Sequence, residues 1–168
     1  MSVAGQVILS HGMESGPNAT KVRVLAEVAE RLRFRSERVD DQGILDPLTR
    51  LDRLLARIDQ AAGPVVLMGS SLGAYVSGLA SLQREVAGLF LLAPPVRLRG
   101  IAPDLALRAP RIAIVHGWRD ELIAPEEVYA LAHAHRASLH LYDADHRLTE
   151  VVPAIAEHFE RFLMQVRS

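Results

Sequence analysis

A chain of 168 residues, 49% apolar and 23% charged, is long enough to bury a substantial core as one domain spanning residues 1–168, and its make-up is that of a folded globular protein. A formal net charge of −1 gives no electrostatic case for nucleic acid or an anionic membrane as partner, and the complete lack of cysteine excludes disulfides, thiolate metal sites and a cysteine nucleophile. No apolar run approaches the length that spans a bilayer, and the first residues show no basic stretch followed by an apolar one, so a cytoplasmic location is the expectation.

In chain order, residues 6–10 read as a short apolar strand running into the loop His11-Gly12-Met13-Glu14-Ser15-Gly16-Pro17-Asn18. Asn18 or Thr20 is expected to cap a helix that continues to about Arg33, with Val22, Leu25, Val28, Ala29 and Leu32 at helical spacing. Residues 34–39 form a more polar strand suited to a sheet edge, and residues 40–46 a loop. A second helix over 47–61 places Leu48, Leu51, Leu54, Leu55 and Ile58 on one face, and Gly63-Pro64 stops it. Val65 to Met68 is a buried strand, and a helix of small apolar residues follows from Leu72 to Gln83. Ala87 to Ala93 is the next strand, ended by Pro94-Pro95, and a loop lasts to Pro110. A strand over 111–116, a helix from Pro125 to about His135, a strand over 138–142 and a helix from Thr149 to about Val166 complete the chain.

Strands thus alternate with helices about six times. The pattern calls for an α/β fold: a doubly wound, mainly parallel sheet of about six strands with helices on both faces. No internal repeat, low-complexity segment or linker interrupts it. In such sheets ligands bind beyond the carboxyl ends of the strands. Those ends carry His11-Gly12, Asp40-Asp41, Ser71, Pro94-Pro95, Asp120 and the run Asp143 to His146.

Gly69-Ser70-Ser71-Leu72-Gly73 fits G-x-S-x-G between a strand and a helix, the context in which the central serine is held on a strained turn above the sheet. Nucleophilic catalysis by Ser71 needs a base, an acid to orient the base, and donors for an oxyanion. Asp120, in His116-Gly117-Trp118-Arg119-Asp120, and His146, in Asp143-Ala144-Asp145-His146, each follow a strand, and the order is Ser…Asp…His. Ser71 and His146 fall at the same sheet edge although 75 residues separate them.

On these motifs the chain resembles the small α/β hydrolases over nearly its whole length. Ser10-His11-Gly12-Met13 and the pentapeptide around Ser71 carry the resemblance, with His116-Gly117-Trp118-Arg119-Asp120-Glu121-Leu122-Ile123-Ala124-Pro125 and Asp145-His146. One extra residue, Ala124, precedes Pro125 relative to the family pattern. The run His11 to Pro17 is similar to the opening loop of the short, lidless YqiA-like bacterial group. The resemblance implies an α/β-hydrolase fold without a cap domain and two-step acyl transfer to water through an acyl-serine. Ser71 would be the nucleophile, His146 the base and then the acid, and Asp120 the residue that orients His146. The backbone N–H groups of Met13 and Leu72 would form the oxyanion hole.

The expected substrate is a small or medium acyl ester or thioester, with no cofactor, no metal and an oligomeric state left open. Glu14 and Pro95 are the candidate substrate contacts. Val96, Leu98, Ile101, Leu105 and Leu107 either line a shallow acyl site or pack on the core, and Arg97, Arg99 and Arg108 suit a solvated face better than an acidic substrate. His11 and His116 suit structural roles between loops. His133 and His135 do not share a helix face, which argues against a metal. Asp145, Asp143 and Asp40 are weaker alternatives to Asp120. The competing readings are a non-catalytic binding or signalling module of the same fold and a nucleotide-binding domain; neither G-x-G-x-x-G nor G-x-x-x-x-G-K-[ST] occurs.

Overall fold

Runs such as Val7-Ile8-Leu9, Val65-Val66-Leu67-Met68 and Leu89-Phe90-Leu91-Leu92 put large apolar side chains on both faces of an extended chain, and only a sheet covered on both sides can bury them. The computed structural model describes residues 2–101 and 104–167, and it shows such a sheet. Ala102 and Pro103, within the loop expected over 94–110, lie outside the described residues, as do Met1 and Ser168.

The strands are β1 (Gly5–Ser10), β2 (Phe34–Arg38), β3 (Val65–Ser70), β4 (Gly88–Leu92), β5 (Ile112–Gly117) and β6 (Ser138–Tyr142). Their order is β2-β1-β3-β4-β5-β6 and every neighbouring pair is parallel. β2 is an edge strand, which explains its polar sequence. The helices are α1 (Thr20–Arg31), α2 (Pro47–Gln60), α3 (Leu72–Ser81), α4 (Pro125–His135) and α5 (Val152–Arg167), the last preceded by a single 3-10 turn at Thr149–Val151.

The strand alternation sorts the core into two layers. Val7, Leu9, Val66, Met68, Phe90 and Leu92 face α1 and α5. Ile8, Leu67, Leu89, Leu91 and Ile114 face α2, α3 and α4. Below β4 the ring of Phe90 meets Phe159 and Phe162 of α5, with centroids 4.8 Å and 5.5 Å away, in tilted and edge-on arrangements that aromatic quadrupoles favour.

Two local expectations change. Neither Asn18 nor Thr20 caps α1. The cap position is Ala19, without a side-chain bond; the Asn18 side-chain Oδ1 instead accepts from Arg38 Nη1 at 3.2 Å, and Thr20 is already helical. In α2, Leu48 is exposed, and the buried stripe is Pro47, Arg50, Leu51, Leu54, Leu55 and Ile58. That stripe keeps the i, i+3, i+4 rhythm and the expected Leu51, Leu54, Leu55 and Ile58, but it begins at Pro47 and takes in Arg50 in place of Leu48. Asp46 caps the helix just before Pro47 by accepting from the N–H groups of Leu48 and Thr49.

The chain leaves β1 for β2 on one side and returns to β3 on the other. The crevice at the carboxyl ends of β1 and β3 is therefore the switch point at which such sheets bind ligands. The loop 11–18 and Ser71 both open onto it.

Candidate active site

Ser71 makes the turn from β3 into α3 with φ 53° and ψ −117°, a left-handed backbone that non-glycine residues rarely adopt. The turn must be that tight because its neighbours leave no room for a wider one. A Cβ at Gly69 would sit 2.3 Å from the Gly73 carbonyl oxygen, and one at Gly73 would sit 2.2 Å from that of Ser10. The Ser71 N–H donates to the Leu92 carbonyl at 2.9 Å and ties the turn to β4.

Ser71 Oγ lies 3.0 Å from Nε2 of His146, and Nδ1 of that ring lies 2.7 Å from Oδ2 of Asp120. A carboxylate can only accept, so Nδ1 carries the proton and Nε2 is left to accept from the serine hydroxyl. The other Asp120 oxygen accepts from the N–H groups of Leu122 and Ile123 at 2.9 and 2.8 Å. The Asp120 side chain is wholly buried, whereas that of His146 keeps 21% of its surface open. The carboxylate is held in a dry backbone cradle while the imidazole faces the crevice.

Backbone pairing carried past the strands brings the loops of Asp120 and His146 together. Trp118 N–H donates to the Tyr142 carbonyl at 2.8 Å and Arg119 N–H to that of Ala144 at 3.0 Å. Gly117 lets them touch: a Cβ there would lie 2.2 Å from the Ala144 oxygen. Outside, Arg119 Nε pairs with Asp143 at 2.7 Å. Asp145 Oδ1 accepts from the Arg147 N–H and Asp40 Oδ1 from Gln42, so none of the three alternative acids bonds to His146.

The other histidines near the crevice are spoken for. His11 is buried; its Nδ1–H donates to the Gly12 carbonyl at 2.7 Å, and its Nε2 accepts the Asp41 N–H at 2.9 Å. His116 is buried beneath Asp120, with Nε2 3.0 Å from the Ile123 carbonyl and 3.5 Å from Asp120 Oδ2. Burial pushes its pKa below the ordinary 6.5, so the ring stays neutral and Nε2–H donates to Ile123. Its Nδ1 has no hydrogen-bond partner among the described residues.

Two residues passed over in the sequence support these loops. Arg50 reaches from α2 into the base of the 11–13 loop and donates to several backbone carbonyls. Its one sequence signal was a charge inside an apolar stripe. Lys21, the only lysine, reaches from α1 to the Arg147 carbonyl at 2.5 Å and tethers the loop carrying His146; nothing in the local sequence announces that contact.

The N–H groups of Met13 and Leu72 make no backbone hydrogen bond among the described residues, and α3 has no side-chain cap at Ser71. The Gly12 backbone comes close to the serine: a Cβ on Gly12 would lie 3.7 Å from Ser71 Cβ. An open cleft of about 690 Å³ adjoins His146, walled by Trp118, Leu122, Asp145 and Arg147. Glu14 is exposed and Pro95 buried, and neither lines that cleft. Leu105 and Leu107 pack on the core, with Val96, Leu98 and Ile101 against the same cluster. Arg97 pairs with Asp104 and Glu127, and Arg108 donates to the Leu82 carbonyl. Among the described residues no cluster of three or more His, Cys, Asp or Glu side chains is arranged to hold a metal, and no helix is long and apolar enough to cross a membrane.

The sequence profile described as the alpha/beta hydrolase family matches residues 9–164. No curated protein matches the chain. Among solved structures, the chain is similar to an alpha/beta-superfamily protein of Xanthomonas campestris pv. campestris at 43% identity and a TM-score of 0.92, covering 98% of this chain and 99% of that one. Est1E from Butyrivibrio proteoclasticus shares the fold at 17% identity and a TM-score of 0.82, over 99% of this chain and 89% of that one. An esterase of Pyrococcus furiosus shares it at 18% identity and a TM-score of 0.82, over 98% and 82%.

Proposed function

The chain belongs to the alpha/beta hydrolase family, and on that premise we propose that it is a serine hydrolase that cleaves small or medium acyl esters or thioesters through an acyl-serine. The observation that carries the proposal is the continuous relay Ser71 Oγ, His146 Nε2, His146 Nδ1, Asp120 Oδ2, at 3.0 and 2.7 Å.

In the first half-reaction Ser71 Oγ attacks the substrate carbonyl carbon and its proton passes to His146 Nε2. Asp120 stabilises the resulting imidazolium. The oxyanion is received by the Leu72 and Met13 N–H groups, with the α3 N-terminus behind the first. The tetrahedral centre then collapses, the C–O or C–S bond to the leaving group breaks, and His146 returns the proton to that group. In the second half a water gives a proton to His146 and attacks the acyl-serine. The acid leaves and Ser71 recovers its proton.

The open cleft beside His146, and the packing of Val96, Leu98, Ile101, Leu105 and Leu107 on the core, favour compact acyl groups over long lipids. The His11 to Pro17 loop supports placement with the short YqiA-like group. The cytoplasmic setting expected from the sequence is part of the proposal, and cell fractionation checks it. The relay favours catalysis over a non-catalytic binding module.

Fluorophosphonate labelling with peptide mapping tests the reading, with Ser71→Ala as control. Modification at Ser71 in the wild type and none in the variant is expected. A well-folded wild type that takes up no label would overturn the proposal in favour of the binding module.

A further inference from the structure

We propose that Arg50 is a positioning residue for the oxyanion hole, its buried guanidinium gripping the 11–13 loop so that the Met13 N–H faces Ser71. The inference rests on the serine-hydrolase reading and extends it to a residue outside the relay.

Arg50 is only 1% exposed, a rare state for an arginine. Its fork is spread over five carbonyls of two loops. Nε donates to Ile44 at 2.7 Å, and Nη1 to His11 at 2.8 Å. Nη2 donates to Gly12 at 3.2 Å and to Met13 and Asp41 at 3.4 Å. Among the described residues no carboxylate is bonded to it; the Asp41 carboxylate bonds to Arg53 and acts on Arg50 only through space. Burial lowers the Arg50 pKa, but a guanidinium ordinarily titrates so far above neutrality that the cation persists. A full positive charge is thus kept in the core next to carbonyl dipoles, an expensive arrangement if the aim were packing alone.

The geometry of a peptide unit supplies the reason. In a planar trans peptide the C=O of one residue and the N–H of the next point in opposite directions. The Gly12 carbonyl is held by two donors, Arg50 Nη2 and His11 Nδ1. Whatever fixes that oxygen also fixes the Met13 N–H on the other side of the same plane. A cation on the oxygen polarises the peptide and makes its N–H a better donor to an oxyanion. His11 is held in turn by the Asp41 N–H, so the grip reaches to the loop after β2.

The test compares Arg50→Met and Arg50→Lys with wild type in three measurements: kcat and KM on p-nitrophenyl acetate, affinity for an alkyl boronic acid that forms a tetrahedral adduct on the serine, and thermal unfolding. Methionine removes every donor, while a single ammonium cannot span the carbonyls of two loops. The expected result is a fall in kcat of up to about 10²-fold with KM unchanged, since a donor misplaced by an ångström costs that much. Boronate affinity should fall in parallel, in either variant that unfolds cooperatively. If Arg50→Met does not fold, Arg50→Lys decides alone. A folded variant with wild-type kcat and boronate affinity but a lower Tm overturns the inference and leaves Arg50 a structural residue. A wild type inert to both probes sinks the serine-hydrolase reading instead, and the inference with it.

Discussion

Ser71 carries both the proposed chemistry and the backbone strain of the site. Positions in sparsely populated backbone regions store about 1–3 kcal/mol, and Ser71 holds such a position with φ at 53°. Ser71→Ala keeps the strain and loses the hydroxyl; hydrolysis should drop on the order of 10⁶-fold in turnover while the fold survives. Ser71→Gly loses the hydroxyl and the strain together. The relief outweighs the roughly 0.5–1 kcal/mol that glycine's freedom costs on folding, so Ser71→Gly should show a higher Tm than Ser71→Ala. A lower Tm would mean that the turn stores no strain. Asp120→Asn should cost about 10⁴ in kcat, because an amide N–H facing Nδ1 forces the proton to Nε2 and leaves nothing to accept from Ser71. Near-normal activity in that variant would refute the role assigned to Asp120.

At the scale of elements, the site is made by loops meeting across parallel strands, and glycine decides how closely they meet. Gly117→Ala would drive a Cβ to 2.2 Å from the Ala144 carbonyl, and backbone atoms cannot swing aside as a flexible side chain can. The loops of Asp120 and His146 must then separate. The expected outcome is a loss of about 1–3 kcal/mol of stability together with a kcat loss larger than the stability change explains, read from denaturant unfolding and kinetics on the same samples. The α5 packing offers a contrast. Phe159→Ala removes the ring against Phe90 and should cost about 3–5 kcal/mol, but at temperatures where the variant is folded its kcat should stay close to wild type. A variant with the reverse profile would mean that α5 supports the site directly.

At the scale of the whole molecule, stability is expected to be acid-sensitive. His116, His140 and His158 all have pKa values pushed below 6.5, in each case mainly by burial. The rings of His140 and His158 stack with centroids 3.8 Å apart, and the neutral His158 Nε2 lies 2.5 Å from the Tyr142 hydroxyl, in position to accept a hydrogen bond from it. The unfolded chain takes up protons as pH falls through about 6.5, before the folded chain does. These groups therefore contribute stability that is fully present above 6.5 and is lost as pH falls below it. Denaturant midpoints should drop between pH 7.5 and 5.5 with little change in slope, and His158→Gln should flatten that dependence. A midpoint that rises on acidification would show the opposite linkage.

The alternation of apolar strands and amphipathic helices, the order of Ser71, Asp120 and His146, and the glycines flanking the serine were all legible in the sequence. Each is a local consequence of side-chain period, chain order or backbone freedom. Leu48 and Arg50 mark where local reading stops. Helical period offered Leu48 as a buried residue, but it lies exposed in the first turn capped by Asp46, while the charged Arg50 is buried because it finds five carbonyls. Asn18 was a sound cap by type, but Arg38, 20 residues away, took its oxygen. The tether from Lys21 to Arg147 crosses 126 residues. Chain order and periodicity determined the fold and the ends of strands at which a site could form. Only the tertiary structure decided which buried donors hold that site in shape, because a hydrogen bond between distant loops depends on where the sheet places them and leaves no mark on either local sequence.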